Sequence, residues 1–318
     1  MSAIPAPYVL TFGETMALMR AEQVGPLAHA STMSLGIGGS ESNVAIGLQR
    51  LGVQSVWCGR VGADSLGQLV EREIRAEGVD VRVAVDPSAP TGLMIKERRT
   101  PATQRVSYYR AGSAGSRITP EDIDAELISG ASLLHVSGIT PALSGQAEAT
   151  LRYAILAARA AGVPVSFDLN FRGNLWSPEG ASSVFRDIIP LADIVFAGDD
   201  EAAIAVGAAE PEELARRIAA LGPSQAVIKL GAEGALALIN GRVYRQAAVT
   251  VVVVDTVGAG DAFVAGYLAE LIGDRGPEDR LQTAAATGAF ACLVPGDWEG
   301  FPRRSELMLL DAKEPVSR

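Results

Sequence analysis

Apolar residues run along the chain in short continuous blocks, and stretches with helical spacing lie between them. "YVLTFG" (Tyr8 to Gly13) predicts a strand, and "ESNVAIGLQRLG" predicts a helix that ends at Gly52, a residue type that terminates helices. "SVWCGRVG" then predicts a strand and "SLGQLVEREIRAEGV" a helix. "SLLHVSG", "VPVSFDLN", "ADIVFAG" and "QAVIKLG" are further apolar runs, each closing on polar residues or glycine. The helical segments "SGQAEATLRYAILAARAAG", "SSVFRDIIPLA" and "EPEELARRIAALG" separate them. Strands that are apolar throughout and alternate with helices indicate an α/β fold, a doubly wound, mostly parallel sheet with helices on both faces. Ligands of such folds bind outside the carboxyl ends of the strands. The polar residues at those ends are Asn170, Arg172, Lys229 and Asp261.

One region breaks the rhythm. "TGLMIKERR" (Thr91 to Arg99) and "QRVSYYR" (Gln104 to Arg110) both favour strand, with no helix between them. That pattern predicts an antiparallel hairpin inserted in the α/β core, which "TMALMR" (Thr15 to Arg20) could join. A small sheet of this kind is either a lid or a plain edge hairpin. The chain accordingly reads as one domain, 1–318, with lid strands inserted at about 15–37 and 91–110.

Composition narrows the function classes. The net charge of -10 argues against a nucleic-acid partner. The longest apolar run, around Ala247 to Val254, is far too short to span a membrane. No basic residue precedes the apolar part of "MSAIPAPYVLTF", so a signal peptide is not expected, and the tail "DAKEPVSR" is expected to fray. Cys58 and Cys292 lie far apart in apolar stretches, which predicts buried free thiols and a reducing cytoplasm. With only His29 and His135, a histidine-rich metal site and a hydrolase triad are both disfavoured. None of the three lysines follows a glycine, so no GK[ST] phosphate loop is present. "GIGGSESN" lacks the final glycine of the dinucleotide fingerprint.

Two glycine-rich stretches remain. In "DTVGAGDAF" (Asp255 to Phe263) a run of valines, Val251 to Val254, predicts a buried strand leading into a turn, and "VAGYLAEL" continues as a helix. The free N–H groups and positive dipole end of such a helix favour a bound anion, phosphate above all. Asp261 either serves chemistry there or only caps the helix. In "GIGGSESNVAIGLQRLG" (Gly36 to Gly52), Gly38 and Gly39 open a helix with Glu41 and Asn43 in its first turn. The glycines admit a ligand to the backbone and Asn43 can bond hydroxyls, or the segment is simple helix entry with Ser40 as cap.

Together, "GGSESNVAIGLQRLG" and "DTVGAGDAFVAGYLAEL" resemble the two signatures of the ribokinase-like (PfkB) carbohydrate kinases, and the likeness runs from about Val9 to Leu310. "SYYRAGSAGS", "HVSGITPALS", "FDLNFRGNLWSP" and "GDWEG" resemble one branch of that family, the 2-keto-3-deoxygluconate kinases. The resemblance implies a fold with a small β-sheet lid, and ATP and Mg²⁺ as cofactors; the exposed face of such a protruding sheet needs cover, so a homo-oligomer joined through the lid is expected. It implies Asp261 as general base, with the N–H groups of Gly258, Ala259 and Gly260 as the anion hole. Facing the positive end of a helix dipole, Asp261 is expected to be a weak base. The nucleotide would lie along Lys229, Leu230, Gly231, Ala232, Glu233, Gly234 and Asn170. The sugar would meet Gly38, Gly39, Asn43, Tyr108, Tyr109, Arg110, Arg172 and Asp297.

A sugar acid carries a carboxylate, which the planar fork of arginine matches, so Arg110 and Arg172 are read as its partners; solvated surface arginines are the plain alternative. Two positions depart from the family pattern. Gly198 stands where an asparagine of an N-x-x-E motif is common, and Glu201 is kept as an indirect metal contact. Met94 stands where some keto-deoxygluconate kinases carry a tyrosine. The other readings are a neutral-sugar kinase of fructokinase or ribokinase type, and a non-catalytic nucleotide- or sugar-binding regulator on the same fold.

Overall fold

Along the chain the strands are β1 (Tyr8–Phe12), β2 (Met16–Ala21), β3 (Met33–Gly38), β4 (Gln54–Gly62), β5 (Asp80–Asp86), β6 (Leu93–Thr100), β7 (Thr103–Tyr109), β8 (Leu133–Ser137), β9 (Val165–Asp168), β10 (Ile194–Gly198), β11 (Gln225–Lys229), β12 (Ala235–Ile239) and β13 (Arg242–Gln246). The helices are α1 (Ser40–Arg50), α2 (Ser65–Ala76), α3 (Ala125–Ser129), α4 (Ile139–Leu143), α5 (Gly145–Ala160), α6 (Pro178–Ile188), α7 (Asp199–Val206), α8 (Pro211–Ala219), α9 (Ala259–Ile272) and α10 (Pro277–Ala291). The computed structural model describes residues 7–100 and 103–311. The leader reading of residues 1–6, the middle of the hairpin turn at 101–102 and the frayed tail beyond Asp311 lie outside the described residues.

A nine-stranded sheet forms the centre, in the order β13-β12-β11-β10-β9-β8-β1-β4-β5. Strands β11 to β8, β1, β4 and β5 are parallel, and β12 and β13 continue the sheet antiparallel. One face is sealed by α3, α5, α6, α7 and α8, through side chains such as Ile128, Leu151, Phe185, Ala202 and Leu214. The other face is sealed by α1, α9 and α10, through Leu48, Tyr267, Leu268 and Leu281. With both faces covered, continuous apolar strands are what the burial requires. The strand order reverses beside β1, between its neighbours β4 and β8, which is where α/β sheets open a crevice.

The second sheet is β3-β2-β6-β7. β6 and β7 form the expected antiparallel hairpin, β2 pairs antiparallel with β3, and β2 pairs parallel with β6. Its site-facing side carries Met16, Leu18, Met94 and Val106. Its other side leaves Met33, Leu35 and Tyr109 exposed.

One element is corrected. Val251 to Val254 form no strand; Val252 and Val253 are 84% and 56% exposed. β13 ends at Gln246, and among the described residues no strand pairs with this run; the Val254 amide (2.8 Å) and the Asp255 amide (3.4 Å) donate to Cys292 O. Val251 and Val253 line a cleft instead.

Candidate active site

The turn before α9 and the first turn of α1 meet at the carboxyl ends of the parallel strands. Gly258 caps α9 with a left-handed backbone (φ 78°), a conformation open to glycine at little cost. A Cβ at Gly258 would also collide with the carbonyl oxygen of Asp297, so the turn rests directly on that loop. The first amides of α9 have no partners within the helix, as at any helix start, although the Ala259 amide bends back to Thr256 O at 3.3 Å.

Asp261 stands in the first turn of α9, 8% exposed. It accepts from Ser40 Oγ at 2.7 Å and from Asn43 Nδ2 at 2.8 Å. Asn170 Nδ2 donates to Ser40 Oγ at 2.6 Å and completes the chain of contacts. Asn170 holds a positive φ of 41°, a strained backbone for a non-glycine residue, in order to reach inwards from the end of β9. Ser40 is therefore no cap: Gly39 is the N-cap of α1, and the Ser40 hydroxyl serves Asp261.

The expectation of a weak base is overturned. Burial pushes the Asp261 carboxyl above its usual range. The hydrogen bonds from Asn43 and Ser40 and the charges of Arg172 and Lys229 pull downwards without cancelling it. Desolvation is the largest influence on the group, and it favours the protonated form of a buried carboxyl.

A cleft of about 500 Å³ opens on one side of the turn, lined by Lys229, Gly231, Ala232, Gly234, Ala259 and Gly260. Lys229 Nζ sits 2.8 Å from both carboxylate oxygens of Asp168, a buried partner at the end of β9. Burial alone would lower the pKa of Lys229, but Asp168, Glu201 and Asp261 raise it, so the ammonium persists. On the other side of the turn, Gly38 leaves the space into which Asp297 and Met94 project.

These glycine-turn, carboxylate and cleft elements lie within residues 6–304, which match the model of the pfkB family carbohydrate kinases. The chain belongs to that family. It is a sugar kinase, and the family implies ATP as its phosphoryl donor. The chain is 38% identical over 310 residues to the 2-dehydro-3-deoxygluconokinase of Bacillus subtilis (strain 168), a match covering 94% of this chain and 93% of the relative. It is 37% identical over 304 residues to the enzyme of the same name from Thermoproteus tenax, covering 94% and 92%. The solved 2-dehydro-3-deoxygluconokinase of Thermotoga maritima superposes with a TM-score of 0.86 at 26% identity, covering 96% of this chain and 98% of the other.

The pfkB kinase brings together most of the residues singled out from sequence, with three adjustments. Arg110 is no free fork: it donates to Glu14 through Nε (2.7 Å) and pairs through Nη2 (2.5 Å), and Ser113 also donates to Glu14. Tyr109 alternates to the outer side of β7, away from Asp261, while Tyr108 shares the inner side with Met94 and lies 5.8 Å beneath the Arg110 guanidinium. Glu201 fastens backbone: it accepts from the amides of Phe171 (3.0 Å) and Gly198 (2.7 Å). Arg172, by contrast, is exposed and donates through Nη1 to Phe171 O at 3.1 Å. Cys292 is half-buried and lines the cleft beside Lys229, and Cys58 is buried; both are free thiols. Among the described residues no helix is long and apolar enough to cross a membrane.

Glu41 is the further buried acid of the site, between Gly13 and α4. Its Oε1 accepts from Ser137 (2.6 Å) and Thr140 (3.1 Å), and its Oε2 has no partner. Burial pushes its pKa up to about 7, despite those hydrogen bonds. Below the ordinary value of 4.5 both folded and unfolded chains carry the proton. Between there and about 7 only the folded chain keeps it, so this group's contribution to stability is lost as pH rises through that window. Glu41→Gln, which never ionises, is expected to gain in Tm over wild type from about pH 5 to about pH 8 in differential scanning calorimetry. A constant difference across that range would remove Glu41 as the titrating group.

Proposed function

We propose that this kinase transfers the γ-phosphoryl group of ATP to the terminal hydroxyl of 2-keto-3-deoxygluconate, giving the 6-phosphate and ADP. The observation that carries the reading is Asp261, buried and held from two sides beside the glycine turn, between a nucleotide-sized cleft and the small sheet. Asp261 takes the proton of the sugar hydroxyl. The hydroxyl oxygen forms the new O–P bond as the bond from the γ-phosphorus to the β–γ bridging oxygen breaks, and ADP leaves with that bond's electrons. The amides of the Gly258–Gly260 turn receive the charge that spreads over the transferring group. The raised basicity of Asp261 suits the acceptor role.

The nucleotide reading places Lys229 to Gly234 along the phosphates and base, with the Lys229 charge fixed by Asp168. For magnesium, the carboxylates nearest the cleft are already engaged: Asp168 with Lys229, and Glu201 with two amides. Among the described residues no three His, Cys, Asp or Glu side chains are grouped to hold a metal. The residues thus fit an ion that arrives on the nucleotide phosphates and keeps its own waters, with Glu201 and Asp168 as outer partners. Bound there, it would neutralise phosphate charge.

Acid-sugar recognition rests on Arg172, whose exposed guanidinium acts on the buried carboxylates of the site from the β9 end. The kinship with two 2-dehydro-3-deoxygluconokinases supports the same substrate class. Phosphorus NMR of the product tests the reading: one phosphate ester on a CH₂ carbon supports it, and no ester, or an ester on a ring CH, refutes it.

The small sheet supplies a dimer surface. Leu35, Met19 and Ile95 stand in register across three strands, next to Tyr109, and Leu35 and Tyr109 are 54% and 63% exposed. A four-stranded sheet that leaves part of one apolar face exposed gains by packing on a second copy. Sedimentation at micromolar concentration is expected to give a dimer or larger, and Leu35→Glu a monomer; a monomeric wild type contradicts it. The reading places the enzyme in the cytoplasm, where ATP is available and free thiols stay reduced.

A further inference from the structure

Lys96 is a charged residue in the middle of a strand, and it is 2% exposed. It points to the inner side of β6, as its neighbour Met94 does. Its ammonium lies 3.1 Å from Asp255 Oδ2 and 3.3 Å from Asp297 Oδ1. No step of the proposed transfer uses it, and burying an ammonium is unfavourable unless its partners serve a purpose.

The two partners stand at opposite ends of one structure. Asp255 begins the glycine turn: its Oδ1 accepts from the Val257 amide (3.1 Å), and its Oδ2 accepts from the Gly296 amide (3.3 Å) as well as from Lys96. Asp297 supports the same turn from below, since Gly258 is packed against its carbonyl oxygen. One ammonium therefore ties the start of the turn to the loop beneath it. The adjacent residue across the sheet repeats the connection. Arg20 of β2, the Cα partner of Lys96, donates to Pro295 O at 2.7 Å and faces Glu299 at 3.7 Å. Glu299 in turn accepts from the amides of Asp297 (2.8 Å) and Trp298 (3.1 Å).

The carboxylates respond unequally. Burial pushes the Asp297 carboxyl up to about 6 although Lys96 opposes it. For Asp255 burial also pushes upwards, but the Val257 amide and Lys96 overcome it and hold the group below its usual range. Without the ammonium, two buried carboxylates would face each other across the turn, and like charges in low dielectric drive such groups apart or force protonation.

We propose that Lys96 is a positioning residue: its ammonium fixes the Gly258–Gly260 turn between Asp255 and Asp297 and links it to the small sheet. The inference rests on the kinase reading for its readout. Lys96→Ala leaves an anionic hole. It is expected to lower kcat roughly 10²-fold, the scale of a displacement of about 1 Å at the reacting groups. Added ammonium or methylammonium should restore about tenfold or more of the loss by mass action, and tetramethylammonium, too large for the hole, should not. Lys96→Met keeps the stem and blocks the hole, so it should lose a similar factor with no rescue.

The kinase assay is run on variants with native circular dichroism. A wild type inactive on every sugar defeats the kinase reading itself. A Lys96→Met enzyme with wild-type kcat, or a folded Lys96→Ala enzyme that no small cation rescues, overturns the role of Lys96.

Discussion

Asp261→Asn is expected to lower kcat by roughly 10² to 10⁴, the usual contribution of a positioned acid–base group. The substitution keeps the shape, and an amide can still bond with Ser40 and Asn43, which hold Asp261 at 2.7 and 2.8 Å. Folding and nucleotide binding should therefore be nearly unchanged, which isolates the loss to proton acceptance. The raised pKa gives a second mark. Wild-type kcat/KM should fall on the acid side as Asp261 takes up its proton, at a pH above the ordinary carboxylate range. The variant should lack that limb. Single-turnover kinetics measure the loss directly, and a variant keeping more than about a tenth of the activity would reduce Asp261 to a helix cap.

Arg172→Ala is expected to raise KM for the keto acid about ten- to a hundredfold and to leave KM for ATP near its wild-type value. A hydrogen bond to a charged group contributes about 1.5–3 kcal/mol, and about 1.4 kcal/mol corresponds to tenfold. Arg172→Lys should recover part of the loss, since an ammonium lacks the two-pronged geometry. Arg110 offers no such test, because removing it uncovers Glu14, a carboxylate with 1% of its side chain exposed. Steady-state kinetics with both substrates varied decide the matter. Equal damage to a keto acid and to a neutral sugar would end the carboxylate role of Arg172.

The fold was legible because burial on both faces writes itself into sequence as unbroken apolar strands between amphipathic helices. It was least legible where that rule does not apply. In the Val251–Val254 run, Val251 and Val253 serve a cleft wall and not a sheet, and apolarity alone does not distinguish the two. The β12–β13 hairpin went unread although its signal was present: Asn240 and Gly241, both with positive φ (48° and 81°), form an Asn-Gly turn between two short strands.

In the site, Asp261, Asn43 and the glycine turn were found because two motifs carry them. Their partners were harder. Asp168, Lys96 and Glu14 are single charges inside or beside apolar segments, and only the tertiary fold sets each against its opposite charge. Arg110 and Arg172 looked alike in sequence, one in "YYR" and one in "NFR". Glu14, which lies near Arg110 only in the folded chain, makes one a structural clamp and leaves the other open to a ligand.

The central claim is that Asp261 and Arg172 serve phosphoryl transfer to a sugar acid. A coupled ADP-release assay comparing kcat/KM for 2-keto-3-deoxygluconate, fructose and ribose tests it most directly. The account predicts that the keto acid exceeds both neutral sugars by at least about tenfold, the least that one lost charge-assisted contact supplies. A preference for fructose or ribose, or ADP release that no sugar stimulates, would contradict it.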